Sequence, residues 1–135
     1  MKKTIQITNE VNQLKVLAQK IEEIGGEWQL DMALVTNINL VLEEAVSNII
    51  FYAFEDKQQH TIDISIGIDD QELNITVVDE GKPFDPTKMA PPDTSLPAED
   101  REIGGLGIFL MGKIMDKLDY CRREEKNILT LKKAL

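Results

Sequence analysis

At 135 residues, 42% of them hydrophobic and 29% charged, the chain has room for one domain with a real core and not for two ordinary ones. Its 15 basic and 24 acidic residues leave a net charge of −9 with His60 neutral. That balance argues against sequence-independent nucleic-acid binding and against docking on an anionic membrane, since both need basic patches. Cys121 is the sole cysteine, which excludes an intrachain disulfide and a cysteine-rich zinc site, and a single histidine argues against a His-ligated metal centre.

The N-terminal MKKTIQIT is basic but has no apolar h-region, and no run is read as long enough to span a membrane, so a cytoplasmic protein is expected. Residues 3–8 alternate around Ile5 and Ile7 and read as a short strand. Thr8 and Asn9 suit the cap of a helix carrying Val11, Leu14, Leu17, Ile21 and Ile24 on one face, with Gly25-Gly26 as its end. Asp31 suits the N-cap of a second helix reaching Phe54. Its apolar stripe runs through Leu34, Ile38, Leu42, Ala45, Val46, Ile49 and Ala53. Glu44 and Asn48, four apart, share a second line beside that stripe, continued by Tyr52 and Glu55.

The clearest strand pair follows. Ile62, Ile64, Ile66 and Ile68 alternate with polar or small residues, and a turn at Asp69-Asp70-Gln71 leads into Leu73, Ile75 and Val77. Extending the period by two places Asp79 on the same buried face, where a carboxylate needs a partner or a turn to cap. All 5 prolines then fall between Pro83 and Pro97, in a stretch of roughly 80–103 without helical or strand period, as in a functional lid or an insert. Gly104, Gly105 and Gly107 open a helix bearing Ile108, Leu110, Met111, Ile114 and Met115. Two strands, about 118–123 and 127–133, close the chain around Glu124-Glu125-Lys126. The order β, α, α, β, β, loop, α, β, β predicts a single 1–135 domain of α+β class. The expected form is a two-layer sandwich with a mainly antiparallel mixed sheet covered on one face by helices.

Glycines opening a helix free backbone N–H groups at the positive end of its dipole, which suits phosphate. The pattern is not the GxxxxGK[ST] loop, so a P-loop ATPase is excluded. Asn48 offers a magnesium-compatible oxygen, Glu44 a proton acceptor, and Asp79 an acceptor for an exocyclic amine of a base.

The segment EEAVSNIIFYAFED resembles the asparagine box of the GHKL ATPases (gyrase, heat-shock chaperone, histidine kinase, mismatch repair). DEGKPFDP is similar to their first glycine box and GGLGIFLM to their second, so the resemblance covers essentially the whole chain. In compactness and spacing it looks most like the bacterial anti-sigma factor serine/threonine kinases. The resemblance implies ATP and Mg2+ as ligands, with Asn48 on the metal, Glu44 as general base, Asp79 on adenine N6 and Gly81 beside the base. It also implies that Gly105, Leu106 and Gly107 wrap the phosphates below a lid of about 83–103, and that Arg101 faces the terminal phosphate. Tyr52 stands where many such relatives carry histidine, and Pro83 replaces the second glycine of the DxGxG pattern. His60 sits in a polar turn rather than a dimerisation helix, which argues against autophosphorylation on histidine.

The function so implied is a protein serine kinase that holds a sigma-factor-like client and phosphorylates a serine on a small antagonist protein. The relatives' usual dimeric state makes a homodimer an expectation. The alternative is a nucleotide-gated binding module without physiological transfer.

Overall fold

The computed structural model describes residues 1–88 and 105–135, with side chains up to Thr87 and from Leu110 onward. Strand β1 (Lys2–Thr8) is followed by α1 (Gln13–Glu27) and α2 (Met32–Asn48), which runs on as a π-helical turn, Ile49–Ala53. Strands β2 (Thr61–Asp69) and β3 (Glu72–Asp79) form the predicted hairpin. A single 3-10 turn at Pro86–Lys88, α3 (Gly105–Ile114), β4 (Lys117–Arg123) and β5 (Lys126–Ala134) complete the order.

The strands form one five-stranded sheet in the order β1-β2-β3-β5-β4. Every pairing is antiparallel, so the expected mixed character is absent among the described residues. Side-chain alternation explains the layering. Ile5, Ile7, Ile62, Ile64, Ile66, Leu73, Ile75, Val77, Leu129 and Leu131 all face one way and are buried against the helices. On the opposite face Thr4, Ser65, Thr76 and Thr130 line up across the register. Helix α2 packs between α1 and α3, burying Ile38, Val41, Leu42, Ala45 and Val46.

Asp31 caps α2 as expected, its carboxylate accepting from Ala33 N at 2.8 Å. The start of α1 differs. Its N-cap is Asn12, without a side-chain bond, because Asn9 is engaged elsewhere. Asn9 Oδ1 accepts from His60 N and its Nδ2 donates to Gln58 O, tying the loop before β2 to the end of β1. The expected stop at Gly25-Gly26 also moves. Helix α1 continues to Glu27 and ends where Gln29 enters the left-handed region at φ 53°, with Leu30 N bonding Gly25 O and Gln29 N bonding Gly26 O. Gly25 serves packing instead. A Cβ there would lie 2.6 Å from Val35 Cγ2, so glycine lets α1 close on α2.

Together α2 and the π turn make a 22-residue run, Met32–Ala53, that is long and apolar enough to cross a membrane by length and composition, contrary to the reading above. Its apolar stripe is occupied by the sheet and the flanking helices, as in the core helix of a globular domain.

Candidate functional site

At one end of the sheet, between α2, the π turn, β3, β5 and α3, lies an open cavity. Its walls are mostly apolar, with Ala45, Ile49, Ala53, Val77, Met111 and Leu129 facing it. Polar groups enter from Asn48, Asp79, Asn127, Tyr52, Tyr120 and Lys82. An apolar slot with a few converging polar groups is the usual form of a small-molecule site.

Asp79 ends β3 on the inward row and is 4% exposed. Its Oδ1 accepts from Gly81 N at 2.8 Å and from Asn127 Nδ2 at 3.1 Å. The carboxylate therefore caps the following turn, as the strand-end reading expects, and also lines the cavity. Both bonds fall on Oδ1, and Oδ2 has no donor among the described residues. Burial pushes the Asp79 carboxyl above its ordinary value, opposed by the bonds from Asn127 and Gly81 and by the charge of Arg122.

Gly81 is dictated by close approach. A Cβ there would sit 2.4 Å from Ala53 Cβ and 2.8 Å from Ala53 O. The next amide, Lys82 N, donates to Ala53 O at 2.9 Å, so the turn after β3 is bolted to the end of the π turn. The asparagine-box helix and the first glycine box are thus one rigid corner. The π turn alters the helical phase after Asn48, and π turns recur at functional sites. Tyr52 still faces the cavity, but Glu55 lies beyond the helix end with its side chain 85% exposed, so it does not continue the Glu44–Asn48 line.

Asn48 lines the cavity one turn beyond Glu44, which is half-buried on the same helix but is not among the lining residues. Burial, then the neighbouring charge of Glu43, pushes the Glu44 carboxyl above its ordinary value. Gly105, Leu106 and Gly107 form the first turn of α3, whose Met111 closes one cavity wall. Arg101 and most of the expected lid, residues 89–104, lie outside the described residues. The part before them holds the 3-10 turn, capped by Asp85 through Thr87 N at 2.8 Å, with Phe84 and Pro86 at the cavity rim. Among the described residues no group of three or more His, Cys, Asp or Glu is placed to hold a metal. A metal that brings its own water and uses ligand phosphates can still be held by the Asn48 oxygen.

The residue that sequence reasoning missed is Asn127, 6% exposed. It pairs across the sheet with Asp79 and lies two positions before Leu129, so the period used for Asp79 also places it inward. Its Nδ2 also donates to Lys82 O at 2.9 Å, and its Oδ1 accepts from Tyr120 Oη and from Arg122 Nη1 at 3.1 Å. Arg122 Nη1 reaches Gly81 O as well, at 2.6 Å.

Comparison with known proteins gives the same architecture. Residues 7–133 match the histidine kinase-like ATPase domain family. The chain is 32% identical over 111 residues to the serine/threonine-protein kinase BtrW of Bordetella bronchiseptica, covering 82% of this chain and 78% of that protein. It is 34% identical over 102 residues to an anti-sigma F factor of Clostridium botulinum, covering 73% and 70% of the two chains. With the serine-protein kinase RsbW of Halalkalibacterium halodurans it shares 29% identity over 105 residues, 75% of this chain and 63% of the other. The fold matches the solved RsbU and RsbW domains of Rv1364c from Mycobacterium tuberculosis with a TM-score of 0.70 at 13% identity, over 100% of this chain and 32% of that one. It also matches the histidine kinase domain of Erythrobacter litoralis EL346 with a TM-score of 0.56 at 16% identity, over 90% of this chain and 59% of that one. The sandwich, the corner that holds Asp79 and the match over residues 7–133 agree: the chain belongs to the histidine kinase-like ATPase domain family.

Proposed function

We propose that the chain is an ATP-dependent protein serine/threonine kinase of the anti-sigma type. It binds ATP with magnesium, holds a sigma-factor-like client, and transfers the terminal phosphoryl group to a serine of a small antagonist protein. The observation that carries the nucleotide part is Asp79, buried at the end of an apolar slot with one oxygen committed to the protein and the other facing the cavity. The aliphatic walls suit the apolar faces of a flat purine, whose exocyclic amine donates to the free oxygen. Asn48, further along the same cavity, supplies the protein oxygen for magnesium, which when bound offsets phosphate charge. The first turn of α3, Gly105, Leu106 and Gly107, presents backbone N–H groups suited to phosphate, and Arg101 is assigned to the terminal phosphate. Glu44, with its carboxyl raised, takes the proton of the serine hydroxyl as the oxygen bonds to phosphorus and ADP departs. Names such as serine-protein kinase and anti-sigma F factor among the relatives support the reading. A cytoplasmic homodimer belongs to the same proposal.

The test is incubation of the purified protein with labelled ATP and candidate antagonist proteins, with label on an antagonist serine as the expected result. One observation favours a second reading: Glu44 is not among the residues lining the cavity. ATP bound without transfer to any antagonist would make the protein a nucleotide-gated binding module.

A further inference from the structure

Asn127 is fully committed at both ends of its amide. Its oxygen accepts from the Tyr120 hydroxyl and the Arg122 guanidinium, and its nitrogen donates to Asp79 Oδ1 and Lys82 O. Reversing the amide would set its oxygen against a carboxylate and a carbonyl, and its nitrogen against a guanidinium. The orientation is therefore imposed, and with it a donor is always aimed at Asp79 Oδ1. Gly81 N supplies a second donor to the same oxygen. Two donors on Oδ1 stop the carboxylate from swinging and favour its ionised form, against the pull of burial.

We infer that Asn127, locked by Arg122 and Tyr120, is a positioning residue that holds Asp79 with Oδ2 facing the base, and so sets selection for a purine bearing an exocyclic amine. The inference rests on the nucleotide reading above and extends it to residues on β4 and β5 that carry none of the recognised boxes. A pure acceptor at Oδ2 welcomes an amine and rejects a carbonyl. Without the Asn127 amide, Asp79 keeps only the bond from Gly81 N, rotates and takes up a proton more readily, and discrimination falls.

The experiment is calorimetric titration of the magnesium complexes of ATP and purine riboside triphosphate, which lacks the amine, into wild type, Asn127→Ala and Arg122→Met. Wild type is expected to prefer ATP at least tenfold, by about the worth of one hydrogen bond to a charged group. Asn127→Ala should cut that ratio about fivefold while the affinity for the amine-free analogue stays within about twofold, because only part of the charge-assisted bond from Asn127 to Asp79 is passed on to the base. Arg122→Met, at an exposed position, should cut it about two- to threefold and carries the test if the alanine variant does not fold. Equal losses for both nucleotides would mean that Asn127 merely supports the turn, and an unchanged ratio would mean that it does not act on Asp79. Either result overturns the inference. If wild type binds neither triphosphate, the nucleotide reading itself fails; if it binds both equally, Asp79 does not read the amine.

Discussion

Replacing Asp79 by asparagine should separate ligand binding from folding. Oδ1 receives donors from Gly81 N at 2.8 Å and Asn127 Nδ2 at 3.1 Å, so in Asp79→Asn the new carbonyl oxygen must take that place. The amide nitrogen is then forced to the position of Oδ2, where it presents donors to the cavity. An adenine amine arriving there meets a donor instead of a charged acceptor. A hydrogen bond to a charged group is worth about 1.5–3 kcal/mol, so ATP affinity should fall about 10- to 150-fold. Folding should not suffer. Burial raises the Asp79 carboxyl above its ordinary value of 3.8, so the folded state holds its proton more tightly than the unfolded chain. Stability from this group therefore declines as pH rises through the window between the ordinary and the raised value, and at neutral pH the ionised carboxylate is a net cost. The neutral amide removes that cost. Thermal melts should show Asp79→Asn at least as stable as wild type at pH about 7, with the difference closing on acidification as the carboxyl is protonated. Calorimetry with ATP and magnesium gives the affinity. An affinity within about twofold of wild type, or a clear loss of stability, would refute the division of labour between the two oxygens.

Asn48→Ala should abolish most of the magnesium-dependent part of ATP affinity, measured by titrations with and without the metal; an unaltered magnesium effect would remove Asn48 from the metal site. Glu44→Gln should slow phosphoryl transfer about 10²–10⁴-fold with ATP binding nearly unchanged. Because burial and Glu43 raise the Glu44 carboxyl, the wild-type rate should fall on the acid side around a pKa above the ordinary 4.5, a limb absent from the residual activity of the variant. Equal rates in the two proteins would show that Glu44 is not the base. Gly81→Ala drives a methyl to 2.4 Å from Ala53 Cβ and 2.8 Å from a backbone oxygen that is poorly able to yield. It should cost about 1–3 kcal/mol in denaturant unfolding and weaken nucleotide binding as well; wild-type stability would mean that the corner is soft.

Much of this architecture is local in origin and was legible in the chain. Period-two alternation in β2, β3 and β5 needs no knowledge of partners, because successive side chains of any strand face opposite ways. That alone put Asp79 on the buried row, where it is 4% exposed. The breaks in period at Asp70-Gln71 and Glu124-Glu125 located both hairpin turns, and all four residues adopt positive φ, as two-residue turns matched to strand twist require. The recognised boxes also named Asn48 and Gly81, which the structure brings to one corner through Lys82 N and Ala53 O.

What the tertiary structure decided are the roles that depend on a neighbour distant in the chain. Gly25 read as a helix stop because glycine favours ends, yet Val35 on the next helix makes it a point of contact. Asn9 read as a cap, yet His60 N, 51 residues away, claims its side chain. The same inward period runs through Asn127 as through Asp79, yet the sequence reading singled out only Asp79. Only the insertion of β5 between β3 and β4, in the register that sets Asp79 opposite Asn127 and Asn127 opposite Arg122, made a lock of them. Periodicity is a property of one strand, whereas strand order and register are properties of the assembled sheet. For that reason the carboxylate was visible in the sequence and the residues that hold it were not.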